Sequence, residues 1–160
     1  MKPRIYIETS VIGYLAGRRS RDFIVLARQQ WSDMFWDTAR GGANCFTSEL
    51  TLTESNRGDS EVAARRRKFI DECTMLDEPV GTLALANQLI AAKAIPETEP
   101  EDATHIAIAT LAHMDYIASW NFSHLVGINP KKKLEQTLER LGYKPPLLLT
   151  PEVIIESGLL

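Results

Sequence analysis

The chain has 160 residues, 44% of them hydrophobic, which is enough for one domain with a real core and too short for two ordinary ones. Its formal net charge of -3 excludes the strongly basic balance that by itself drives sequence-independent binding to nucleic acid, so any such contact must be local. The two cysteines, Cys45 and Cys73, lack metal-type spacing and read as reduced, buried thiols; with no apolar run near the ~18 residues of a membrane span and no secretory leader at Met1-Lys2-Pro3-Arg4, a soluble cytoplasmic protein is expected.

In chain order, residues 5–7 are β-branched and aromatic with no polar face, the pattern of a central strand buried on both sides. Thr9 and Ser10 offer a helix cap ahead of Val11-Ile12-Gly13-Tyr14-Leu15. From residue 22 to 39, Phe23, Leu26, Ala27, Met34 and Phe35 recur at roughly helical spacing with Trp31 nearby, and Gly41-Gly42 stops the helix. Residues 44–47 read as the second strand, Ser48 caps a short helix reaching Asn56, and Asp59 or Ser60 opens another reaching Cys73. Met75-Leu76 is a short strand and residues 80–94 a helix. The proline-rich turn at 96–100 delivers the chain to a helix that carries Asp102 and ends near His113. Residues 116–118 form a strand, 131–141 a helix stopped by Gly142, and 147–149 the last strand. Thr150-Pro151-Glu152 then opens a C-terminal helix. No repeat, low-complexity tract or linker interrupts residues 1–160, which read as a single domain.

Strands alternating with helices imply a three-layer α/β/α fold around a central, mainly parallel sheet. Sites in such sheets form beyond the carboxyl ends of the strands. Four side chains share that station: Glu8 after the first strand, Glu54 in the helix after the second, Asp102 opening its helix, and Asn121 after residues 116–118. Meeting in one pocket, they suit a hard divalent cation and the hydrolysis of a phosphodiester. Asp115 precedes its strand and so belongs to the opposite edge. Glu54 shares a helical face with Leu50 and points toward packed surface, whereas Glu49 faces solvent. Each acid has a plainer role open to it: Glu8 and Asp102 as first-turn charges at helix starts, Asn121 as a turn residue. His105, His113 and His124 share no metal-binding spacing, and His105, one turn after Asp102, is placed for a supporting role.

The segments Tyr6-Ile7-Glu8-Thr9-Ser10-Val11-Ile12, Glu54 in its short helix, Asp102-Ala103-Thr104-His105-Ile106-Ala107-Ile108-Ala109 and Ser119-Trp120-Asn121-Phe122-Ser123-His124-Leu125, with the trailing Leu149-Thr150-Pro151-Glu152, resemble in order and spacing the PIN domain family, nearest to its VapC-type toxin-like members. The resemblance implies an endoribonuclease dependent on Mg2+ or Mn2+, with RNA as substrate, a cognate antitoxin protein as partner and a homodimer as assembly. It also implies Glu8 and Asp102 as metal ligands, Glu54 as a further ligand or as the group that orients the attacking water, and Asn121 as the fourth site residue. Thr9, Ser10 and Ser119 would orient water or contact the phosphate. Two positions depart from the family pattern: Glu8 stands where aspartate is usual, and Asn121 where aspartate is frequent. The second change removes a charge, so one firmly held ion is expected, with a second recruited alongside substrate.

Arg65-Arg66-Arg67-Lys68 and Lys131-Lys132-Lys133 read first as solvated helix faces. With Arg18, Arg19 and Arg21 near the first strand's mouth, they also offer a basic rim for a phosphodiester backbone. Trp31, Phe35 and Trp36 suit a core or interface, while Trp120 is the candidate for stacking on a base. Glu8-Thr9-Ser10 lacks the Asp-x-Asp of the metal-dependent phosphatases, and no glycine-rich loop follows the first strand to cradle a nucleotide. The remaining alternative is a catalytically decayed module of the same fold that acts by binding RNA or protein.

Overall fold

A computed structural model describes residues 1–122 and 128–160. The chain runs β1 (Arg4–Ile7), α1 (Thr9–Ala16), α2 (Phe23–Gly42), β2 (Asn44–Ser48), α3 (Glu49–Ser55), α4 (Ser60–Asp71), β3 (Thr74–Leu76), α5 (Thr82–Ala91), α6 (Pro100–Leu111), β4 (Tyr116–Ala118), α7 (Ile128–Arg140), β5 (Leu147–Leu149) and α8 (Pro151–Glu156). The strands pair in parallel in the order β3-β2-β1-β4-β5. The expected three-layer α/β/α architecture is present, with helices packed on both faces of the sheet.

The central strand splits its side chains between two cores. Ile5 and Ile7 pack with Val11, Ile12, Phe35, Trp36 and Ile154 on one face. Tyr6 packs on the other with Leu85, Leu89, Ile106, Ile117 and Leu138. Successive residues of a strand point to opposite faces, so an unbroken apolar run is what a strand between two helical layers requires. Each such fully buried side chain contributes about 1.5–3 kcal/mol.

Helix starts follow side-chain chemistry closely. Asp22 accepts from the backbone N–H groups of Ile24 and Val25, Ser48 from Thr51, Asp59 from Glu61 and Val62, and Thr150 from Val153. A cap of this kind is worth about 1 kcal/mol. The first helix differs from expectation: Glu8 itself is the cap of α1, accepting from Ser10 N, so the hydroxyls of Thr9 and Ser10 are not needed for capping.

Three further expectations are corrected. In α2, Phe23, Ile24 and Met34 are exposed while Gln29 and Ser32 are buried. Gln29 is drawn in by two backbone partners, accepting from Ser20 N and donating to Arg18 O, and buried amides are tolerated when so bonded. Helix α5 begins at Thr82 and not at Val80, because Gly81 adopts φ +93, a left-handed conformation that favours glycine and breaks helical continuity. Helix α7 begins before Lys131, at Ile128, and ends one residue earlier, at Arg140, ahead of Gly142 at φ +88. The two cysteines are half-buried and unpaired. Burial raises the Cys45 thiol to about 11 and that of Cys73 above the ordinary range, so both stay protonated at neutral pH. Among the described residues, no helix is long and apolar enough to cross a membrane.

Candidate functional site

Strand order reverses at β1: the chain adds β2 and β3 on one side of it, then returns to place β4 and β5 on the other. The carboxyl ends of β1 and β4 therefore bound a crevice of the type in which open α/β sheets bind ligands. Glu8 and Ser119 are the first residues beyond those ends. Backbone hydrogen bonds carry the ladder into them, Glu8 N to Ala118 O at 3.1 Å and Ser119 N to Leu149 O at 3.1 Å.

Glu8 is 1% exposed. Its Oε2 accepts from Ser10 N at 3.0 Å, from Ser10 Oγ, and from Ser119 Oγ at 2.7 Å. Three donors on one oxygen stabilise a carboxylate where desolvation would otherwise be costly. Ser10 Oγ also accepts from Trp120 N at 2.8 Å, which ties the start of α1 to the residue after Ser119.

Glu54, in the last turns of α3, uses Oε1 in the same way. Thr9 Oγ1 donates to it at 2.7 Å, and His105 Nε2 lies 2.6 Å away. Burial is the largest influence on Glu54 and raises its pKa. The hydrogen bonds of His105, Thr9 and Glu101 outweigh burial and hold it below the usual carboxylate range. Asp102 sits in the first turn of α6 and behaves oppositely, pushed up to about 7 by burial and then by the charges of Glu8, Glu99 and Glu54.

The carboxylates of Glu8 and Glu54 and the ring of His105 each offer one ligand atom, all within 4.8 Å of one another. Asp102 is not part of this group, and the charges of Glu8 and Glu54 both act on it. Carboxylate oxygens suit Mg2+ and Mn2+, while both ring nitrogens of His105 are already hydrogen-bonded, to Glu54 and to Tyr6. The mutual repulsion of the three acids is what a divalent cation relieves, so donor set and charge both fit one.

Of the residues expected at the site, Glu8 and Glu54 come together, with His105, while Asp102 is not part of that group and is reached by the charges of both. Thr9, Ser10 and Ser119 reach the pocket too, with a different partner: their hydroxyls bind the carboxylates of Glu54 and Glu8. Asn121 is exposed, and its recorded tie to the site is through the backbone, Asn121 N donating to Ser119 Oγ at 3.0 Å. Ser123, His124 and Leu125 lie outside the described residues. Asp115 lies at the amino edge as expected, accepting from Arg4 N at 2.9 Å, and Glu49 is exposed.

Sequence reading missed Tyr6 altogether and gave His105 only a supporting place. The one available signal was spacing: His105 lies one turn after Asp102 and so shares its helix face. The basic rim also needs revision. Arg65 Nε donates to Ala16 O at 2.9 Å and Arg66 Nη1 to the carbonyls of Ser55 and Arg57 at 3.2 and 3.1 Å, while Arg18 and Arg19 pair with Glu61 and Asp33. Arg57 pairs with Glu101 at 3.0 Å and feels the charge of Glu54. Trp120 is half-buried, donating through Nε1 to Ser32 Oγ at 2.9 Å and meeting Tyr14 edge to face, so it is packed into the fold and not displayed as a stacking platform.

Neither a protein-family model nor a curated protein matches the chain.

Proposed function

We propose that this chain is a divalent-metal-dependent endoribonuclease of the PIN type, acting on RNA as the toxin-like member of a pair with an antitoxin protein. The observation that carries the reading is the convergence of Glu8, Glu54 and His105 within 4.8 Å, at the switch point of an all-parallel sheet.

Glu8 and Asp102 would hold Mg2+ or Mn2+, with Glu54 as third carboxylate. When bound, such a cation supplies Lewis acidity toward a phosphate oxygen and makes water a stronger nucleophile. The chain's own groups supply the rest. Ser10 and Ser119 hold the Glu8 carboxylate in place through three hydrogen bonds. Glu54, held below the usual carboxylate range, stays an acceptor able to orient the attacking water through a hydrogen bond. Arg57 offers a guanidinium to a phosphate of the RNA backbone.

The test is cleavage of a mixed cellular RNA pool by purified protein with Mn2+, with Mg2+ and with chelator, beside Asp102→Asn. Metal-dependent cutting that is lost in the variant supports the nuclease. A folded, partner-free protein that binds RNA without cutting it establishes the binding module instead.

A further inference from the structure

Helix α3 is tied to its surroundings at both ends by one chain of hydrogen bonds. Ser48, its cap, lies with Oγ 2.6 Å from Tyr6 OH; Tyr6 OH lies 2.7 Å from His105 Nδ1; His105 Nε2 lies 2.6 Å from Glu54 Oε1, near the other end of the same helix. Tyr6 comes from the central strand and His105 from α6, and both are fully buried. Buried polar atoms must be satisfied, and the chemistry of each group limits where the protons sit. An ionised carboxylate only accepts, so Nε2 carries hydrogen. A neutral ring then has its lone pair on Nδ1, and Tyr6 OH is the donor that faces it. Ser48 Oγ in turn gives its hydrogen to the Tyr6 oxygen.

We propose that Tyr6 and His105 are positioning residues for Glu54: Tyr6 donates to Nδ1 and fixes the Nε2–H tautomer, which anchors Glu54 Oε1 beside Thr9 and sets the orientation in which the carboxylate meets a cation. This rests on the reading of Glu54 as a metal ligand. The second ring nitrogen of a histidine commonly sets its role through the hydrogen bond it makes, and outer partners of this kind typically change metal affinity by roughly 10- to 100-fold when removed. A histidine that merely fills the core needs partners for its two ring nitrogens as well, so Mn2+ affinity is the readout that separates the two roles.

The test combines the imidazole 15N spectrum of the metal-free protein with Mn2+ titration calorimetry. The wild-type spectrum is expected to show the neutral Nε2–H tautomer, and this requires no variant. Tyr6→Phe, which removes only the hydroxyl, is expected to redistribute the tautomers and to weaken Mn2+ binding about tenfold. His105→Leu is expected to weaken it at least as much, and His105→Gln, whose amide keeps an N–H donor for Glu54, to restore most of it. Melting in chelator verifies that each variant is folded. An Nδ1–H or doubly protonated ring in the wild type overturns the donor order. Unchanged Mn2+ affinity in folded Tyr6→Phe overturns the positioning role alone. Absence of Mn2+ binding by wild-type protein that shows the expected tautomer overturns the metal-site reading, and the positioning role with it.

Discussion

Ser119 Oγ donates to Glu8 Oε2 over 2.7 Å, joining residues 111 positions apart in sequence. The bond spans the carboxyl ends of β4 and β1, so the carboxylate best buried in the pocket is held from both sides of the strand-order reversal. Removing the hydroxyl leaves two of the three donors on that oxygen. Ser119→Ala is expected to destabilise the protein by about 1.5–3 kcal/mol, the worth of a hydrogen bond to a charged group, and to weaken Mn2+ binding; urea unfolding and calorimetry measure the two. Full retention of both would show that Ser10 alone positions Glu8.

Asp102 makes stability depend on pH in a defined direction. Its folded pKa, about 7, lies above the ~3.9 of an unfolded aspartate. Its contribution is therefore fully present below the unfolded value and lost as pH rises through about 7. In chelator, the melting temperature should fall between pH 5 and pH 8. Asp102→Asn should match the wild type below about pH 4 and exceed it at pH 8. Glu54, shifted down, works in the other sense: its contribution is present above the unfolded ~4.3 and lost as pH falls. Added Mn2+ should flatten the alkaline decline in wild type and do little in Asp102→Asn. A flat profile in chelator would refute the crowding of carboxylates.

The arginines divide into two kinds. Arg65 and Arg66 bond carbonyls near the C-terminal ends of α1 and α3, so Arg65→Ala and Arg66→Ala should each lower stability by about 1–2 kcal/mol and leave RNA affinity unchanged. Arg57→Ala should do the reverse, weakening RNA binding and reducing the salt slope by about one unit. Fluorescence anisotropy with a single-stranded RNA across a salt series separates them.

Trp120 is expected to contribute to packing and not to RNA recognition. Trp120→Phe loses the bond to Ser32 and should cost about 1 kcal/mol or more, with RNA affinity unchanged. A loss of affinity without a loss of stability would reinstate the ring as a stacking surface.

What the sequence made legible was local. Strand ends follow from short apolar runs, and Ser48, Asp59 and Thr150 cap their helices where the sequence starts them. Parallel order then places Glu8, Glu54 and Asp102 on one edge before any coordinate is known. Partners distant in sequence escaped. Gln29 and Ser32 are turned inward in α2 by the backbone at Arg18 and Ser20 and by the Trp120 indole, while Phe23 and Ile24 point outward. Periodicity of polarity cannot register such bonds. Tyr6 read as one apolar residue among three because its hydroxyl finds His105 99 positions away.

The split strand order also bears on synthesis. The early part of the chain contains Glu8, Glu54, β1, β2 and β3, yet His105, Asp102, Ser119 and β4 all come later. A nascent chain stopped before them has two of its acids but neither the imidazole that anchors Glu54 nor the hydroxyl that closes over Glu8. Closing a loop of this length carries an entropic cost that only the finished sheet can offset. An incomplete chain therefore carries Glu8 and Glu54 without the groups that fix them, and their arrangement forms only after the second half of the sheet has docked.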